Sequence, residues 1–332
     1  MTRRSLRDAG RLGLGLTILA WIGLAAAPLV LDDWNIGLLT QYVTYGIFAL
    51  SLGLIWGQAG ILCFGQAIFF GIGAYSMALV TLGKLPWLGD SQWTGLALAV
   101  LLPMLVAAVL GWILFQGRAL SGAHLAIVTL CAAVVCEIAA RRWEFIGGFN
   151  GLFNVPPLSA PNGDPLSTNA TYFFVGVAAL LTYLLSLWIG RSPLGTVLAA
   201  IRNDERRTLH FGYDVRLHKI FVFTVSGAMA GFAGGLFTTQ FGFVSPPLVG
   251  FALSTEVLIW VAVGGRSVLM GAFLGALAVR ATENAMSSSL DQYWLIALGA
   301  LFIIVVVVLP QGLFGKLLAL APPRRLGSSQ AK

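Results

Sequence analysis

Apolar runs of helix-spanning length recur down this chain, and they restrict its fold more than any other feature. The first, Leu12–Leu31, follows Arg3, Arg4, Arg7 and Arg11 and closes at Asp32 and Asp33. The hydrocarbon core of a bilayer is crossed by a helix of about 20 residues. Inside it each backbone N–H and C=O must find its partner within the protein, so such runs become helices. Nine more follow, at about 36–56, 67–82, 94–115, 120–140, 172–190, 220–240, 251–263, 268–286 and 293–308, the last extending to Leu313. The expected fold is an all-α polytopic membrane protein of about ten transmembrane helices. The run at 251–263 is short, and the junction at 57–66 is rich in glycine and amides. These are expected to be short or broken spans, and re-entry at either would change the count.

Composition excludes the soluble alternative. Of 332 residues 58% are hydrophobic and 10% charged, with mean hydropathy +0.87. A soluble domain carries about 25% charged residues. The net charge of +7 gathers at the two ends and in a few loops, so it reports topology rather than nucleic-acid binding. Basic ends on the cytoplasmic side require an even number of spans. The chain then divides into a cytoplasmic segment 1–11, a membrane body 12–313 and a cytoplasmic tail 314–332, with an extracytoplasmic loop at 141–171 and a cytoplasmic loop at 191–219. The three cysteines, Cys63, Cys131 and Cys136, lie in apolar runs and are expected to be buried small hydrophobes.

The loop from Arg191 to Lys219 carries six basic residues against three acids. Ser192 can cap a helix that starts at Pro193, where the missing N–H is harmless. Leu194, Leu198 and Ile201 recur on one face, and Gly212 can end the helix in a left-handed conformation. A docking element, a helix lying on anionic lipid and a plain linker all fit this pattern.

Elsewhere the glycines and rare polar residues matter most. Gly57, Gln58, Gly60 and Gln66 point to an interrupted segment beside a route through the membrane, although small residues also let helices pack closely. Small polar groups expected near that route are Gln58, Gln66, Thr129 and Thr255. Gly227, Gly231 and Gly235 repeat at four-residue spacing, a close-packing face. Glu137 can pair with Arg141, and Arg280 with Glu283. His124 reads as an internal hydrogen-bonded histidine or a proton carrier. Breaks at Trp56-Gly57 and Gly264-Gly265 suggest an internal repeat, with a solute route at its interface.

No nucleotide-binding or catalytic motif occurs. Gly312-Leu-Phe-Gly315-Lys316 lacks the spacing and the Ser or Thr of a phosphate-binding loop. There is no HExxH and no cysteine–histidine cluster. The expected protein is a transporter rather than an enzyme, and if ATP drives it another subunit must hydrolyse it.

Four stretches carry a family resemblance: ALSLGLIWGQAGILCFGQAIFFGIGA from Ala49, SGAHLAIVTL from Ser121 with Glu137 and GGFNG, GTVLAAIRNDERRTLHFGYDV from Gly195, and GFVSPPLVGFALSTEVLIWVAVGGRSVLMGAFLG from Gly242. Together they resemble the second-permease type of the branched-chain amino acid ABC importers, a group that includes a urea and short-amide branch. His124 stands where that family usually has tyrosine, and Ser267 where it usually has glycine. The resemblance implies that the third stretch is a coupling helix fitting an ATPase subunit. Its contacts would be Ala199, Ala200, Ile201, Arg202, Asp204, Glu205, Arg206 and Arg207, followed by Gly212 and Tyr213. It implies a second homologous permease, two cytoplasmic ATP-binding subunits that use ATP and Mg, an extracytoplasmic substrate-binding protein and a bacterial inner-membrane location. This chain itself would hold no cofactor. The substrate would be urea and short amides or branched-chain amino acids. A scaffold subunit without a route, and a transporter driven by protons through His124 or the glutamates, are the alternative readings.

Overall fold

A computed structural model describes residues 3–87, 89–116, 122–159, 164–266, 268–290, 299 and 312–314. The tenth apolar run lies almost wholly outside the described residues, as does the tail beyond 314. The helices are α1 (Arg3–Ala26), α2 (Asp33–Ala59), α3 (Gln66–Thr81), α4 (Gln92–Gln116), α5 (Ala123–Arg142), α6 (Thr168–Arg191), α7 (Pro193–Asn203), α8 (Glu205–His210), α9 (Val215–Phe241), α10 (Phe251–Gly264) and α11 (Leu269–Leu290). Strands β1 (Leu152–Phe153) and β2 (Phe243–Val244) pair antiparallel, Leu152 opposite Val244, and tie two interhelical loops together.

Among the described residues five helices, α2, α4, α5, α6 and α9, are long and apolar enough to cross a membrane. They become six if α10 and α11, bent by 116° at their junction, count as one span. The protein is therefore an all-α polytopic membrane protein. The count of ten is not reached among these residues, and the reason is helix length. The 16-residue α3 rises about 24 Å. Thirteen of its residues are buried, so protein rather than lipid surrounds it.

The core forms where α2, α3 and α9 meet. The middle of α2 is apolar on all sides, and Ile47, Phe48, Leu50, Leu52, Leu54 and Ile55 are fully buried; a helix with no polar face belongs inside. The outer helices behave differently. On α4 the side chains Leu101, Leu105, Trp112 and Ile113 are exposed, and on α5 Ile127 and Val135, as lipid-facing surfaces require. Cys131 is exposed on α5 too, contrary to expectation, while Cys63 is buried. An isolated thiol is apolar enough to face acyl chains.

The glycine ridge of α9 is a packing face. Gly227, Gly231 and Gly235 meet Ala107, Pro103 and Ala99 of α4. On the neighbouring side, Gly73 of α3 lies against the backbone of Gly231. A methyl at Gly231 would run into the Ala99 carbonyl and the Pro103 ring. Gly231→Ala is therefore expected to lower stability by about 1–3 kcal/mol, the usual penalty for overpacking. A thermal melt in detergent checks this; an unchanged midpoint would show that α4 can move aside.

Candidate functional site

The loop between α6 and α9 folds as two helices, where a single helix ending at Gly212 is expected from sequence. α7 begins as anticipated: Pro193 holds its first position and the Ser192 hydroxyl accepts from the Gly195 N–H. Its apolar stripe, with Leu198 and Ile201 buried, lies on α2, α6 and α9. The helix stops one residue before Asp204, whose backbone is extended. Asp204 then accepts from the Arg207 N–H at 3.1 Å and starts α8. A cap is a local competitor for the backbone, and here it divides what hydrophobic periodicity reads as continuous. After α8, Gly212 takes φ +85° and turns the chain into α9, which Asp214 caps.

The coupling residues expected from resemblance separate into two sets. Ile201, Arg202 and Glu205 turn toward the membrane body. The Arg202 guanidinium donates to the Gly57 carbonyl in the last turn of α2. Glu205 pairs with Lys219 of α9 at 2.7 Å. Lys219 is buried, and its ammonium also sits over the Phe115 ring. Ala200, Arg206, Arg207, Gly212 and Tyr213 face outward, and Ala199 and Asp204 lie between. With them, Leu209, Phe211 and Leu217 expose large apolar side chains, Phe211 to 80%. Sequence reasoning misses these three. The signal that could find them is an apolar residue left off the buried stripe in an otherwise charged loop.

The two helix breaks meet at the inner end of this arrangement. α2 ends at Ala59, and Gly60 leaves it with φ +71°. Gly57 lies so close to the Arg266 carbonyl that a methyl there would collide with it. The Arg266 guanidinium covers the Trp56 ring at 5.6 Å. Within the second break, Gly264 packs on the backbone of Gly271 and Gly275, which lets α10 and α11 fold sharply against each other. Arg202, Gly57 and Arg266 thus form one contact line from the loop, through α2, to the α10–α11 bend. A cavity of about 250 Å³ adjoins it, lined by Gly60, Leu62, Phe115, Leu125, Arg202 and Lys219 among others.

The four small polar residues expected along a route have different surroundings in the structure. Gln66 is fully buried and donates to the hydroxyls of Ser51 and Ser226 at 2.9 and 2.8 Å. Thr129 is buried and accepts from the Phe64 N–H at 3.0 Å. Ser254 does the same for the Ala67 N–H. Thr129 and Ser254 satisfy backbone N–H groups at the break at 60–65, as a membrane interior demands, while Gln66 links α2 to α9 through side chains. Gln58 is half-buried with its amide against Gly190, and Thr255 stands partly exposed on α10.

The charged pairs form as expected, with one addition. Arg141 meets Glu137 at 2.5 Å, and Arg280 meets Glu283 at 2.8 Å. Arg280 also reaches Glu256 on α10 at 3.2 Å. His124 sits in the first turn of α5 and is exposed, not internal, because that helix starts at Ala123 rather than near 120. Among the described residues no cluster of His, Cys, Asp or Glu could hold a metal ion.

The family described as branched-chain amino acid transport system, permease component, matches residues 35–306. The chain is 32% identical to the high-affinity branched-chain amino acid transport system permease protein LivM of Salmonella typhimurium, over 96% of this chain and 78% of that protein. It is 25% identical to the permease protein BraD of Pseudomonas aeruginosa, covering 84% of this chain and 94% of the relative. To LivH of Escherichia coli it is 23% identical, over 82% and 92% of the two chains. No solved structure matches.

Proposed function

This chain belongs to the branched-chain amino acid transport permeases, and on that premise we propose that it carries branched-chain amino acids across a bacterial inner membrane, using ATP hydrolysed by partner subunits. It is a non-catalytic permease component. Its relatives named above are named for branched-chain amino acid transport, and they lend nothing to the urea and short-amide alternative. In the full assembly the chain would stand beside a second homologous permease, over two ATP-binding subunits, and under an extracytoplasmic binding protein. The membrane body would span 12–313 in ten segments, with 1–11, 191–219 and 314–332 on the cytoplasmic side and 141–171 outside.

The contact line from Arg202 through Gly57 to Arg266 carries this proposal. The outward side of the loop offers Arg206, Arg207, Leu209, Phe211 and Tyr213 to an ATPase subunit. Arginine and aromatic side chains of this kind anchor protein interfaces. The inward side grips the end of α2, which in turn meets the α10–α11 bend. Closure of the ATPase pair would push on the loop and move α2 against the α10–α11 bend, switching access between the two sides. A proton-driven mechanism fits less well, because His124 is exposed at a helix start and Glu137 and Glu283 are both held by arginines.

Reversing both outward charges, Arg206→Glu with Arg207→Glu, tests the coupling. Uptake should fall by about tenfold or more while insertion into the membrane stays normal, since both side chains leave the core untouched. Normal uptake per ATP hydrolysed would sink the coupling role of this loop.

A further inference from the structure

The mechanism above makes no use of the charged group where α2, α10 and α11 meet. Arg280 lies 11 residues into α11, about 16 Å along the helix from its start and about as far from its end. It donates to Glu283 at 2.8 Å and to Glu256 at 3.2 Å. Its guanidinium also lies over the rings of Tyr45 and Trp260, at 4.1 and 4.8 Å from their centroids. We propose that Glu256, Arg280 and Glu283 form a binding station for the charged ends of a zwitterionic amino acid on the transport route, walled by Tyr45 and Trp260. This rests on the reading of the chain as an amino-acid permease.

Three observations carry it. The first is the open surface around the group. α4 turns Leu101, Leu105, Trp112 and Ile113 outward, a surface made for lipid. After Phe251 at its first position, the open stripe of α10 instead holds Ala252, Thr255, Glu256 and Ile259, and that of α11 holds Ala281, Asn284 and Ser287. Glu256 keeps 38% of its side chain exposed at this depth. An ionised side chain inside the membrane faces protein or a water-filled space, not acyl chains. Small and polar neighbours suit a wet route.

The second observation is the balance of charge. Among the described residues two carboxylates face one guanidinium, so the group has one negative charge left over. A purely structural cluster is better closed with its charges matched. The ammonium of a zwitterion supplies the missing positive charge. The third is a free donor. The Arg280 Nε–H is buried without a hydrogen-bond partner among the described residues. A carboxylate arriving from the open side can take it, with Glu256 released to the ammonium. Exchanging one ion pair for another binds a solute firmly enough to enter and weakly enough to leave, which conduction requires. The two rings shield the guanidinium on its other face.

The test uses the whole importer in vesicles, with its binding protein and ATPase subunits, and radiolabelled leucine as the probe. Glu256→Gln should still insert and co-purify with its partners, yet lower leucine uptake by about tenfold or more. In a background with Cys63, Cys131 and Cys136 replaced by alanine, Thr255→Cys and Asn284→Cys should react with a charged, water-soluble thiol reagent. Leucine turnover should slow that reaction, and Leu105→Cys on the lipid face should not react. Leucine uptake by Glu256→Gln at the unmodified rate would overturn the station, and so would inert cysteines at 255 and 284. If the unmodified importer fails to take up leucine at all, the amino-acid reading falls first, and the labelling pattern still shows whether this face is wet.

Discussion

An importer carrying Gly57→Ala in this subunit is expected to insert, assemble and hydrolyse ATP while moving substrate about 5- to 150-fold more slowly. The size follows from the geometry. One added carbon at Gly57 meets the Arg266 carbonyl, a backbone atom that cannot swing away like a side chain. Overpacking of this kind costs about 1–3 kcal/mol. That penalty falls on whichever arrangement presses α2 against the α10–α11 bend, and it translates into a shift of roughly 5- to 150-fold between two arrangements. Gly37→Ala on the same helix is the control, because nothing lies within 4 Å of a methyl there. It should change neither uptake nor stability noticeably. Uptake and ATP hydrolysis measured together in vesicles decide the matter. If Gly57→Ala slows both in proportion, or neither, the contact is only packing and the break does not transmit force.

The second large effect is expected at the Lys219–Glu205 pair. Glu205→Ala leaves the ammonium of Lys219, 7% exposed, without its carboxylate. Stranding one member of a buried ion pair costs about 3–5 kcal/mol, and the Phe115 ring offsets only part of that. The value should lie toward the lower end, since Glu205 retains 24% exposure and some contact with water. α8 is then expected to loosen from α9, exposing the 191–219 loop, cytoplasmic in the proposed topology, to proteases in inside-out vesicles. Lys219→Met in the same chain should restore most of the protection, because removing both partners leaves no uncompensated charge. A double variant as labile as Glu205→Ala would mean that the pair is not what holds α8 down. The pair also bears on the coupling proposed above, since the outward arginines could transmit a push only if the loop is fastened to the body.

Local rules make much of this fold legible in the amino-acid order. Hydropathy places one span at about 36–56, and α2 runs Asp33–Ala59; it places another at about 220–240, and α9 runs Val215–Phe241. Ser192 and Pro193 start α7, and the glycines at 227, 231 and 235 mark the close face of α9, as their spacing implies. The errors also have local causes. Asp204 splits the loop helix by capping, which periodicity does not register. Thr129 closes a backbone bond left open by the break at 60–65, and Gln66 joins the hydroxyls of Ser51 and Ser226, partners that no local pattern announces.

Sequence alone determined that this chain is a bundle of membrane helices, that two of them break near glycine pairs, though α2 runs on through Gly57 to Ala59, and that it belongs among ATP-driven permeases by resemblance. A bilayer leaves a backbone no alternative to the helix, and caps and glycines act within a few residues. Tertiary structure alone decided which members of the charged loop turn inward, that Arg202 finds a carbonyl 145 residues away, that the last turn of α2 touches the α10–α11 bend, and that Glu256 joins Arg280. Helical periodicity assigns a residue to a face. Which helix that face meets depends on how the whole set packs, and no local pattern encodes it.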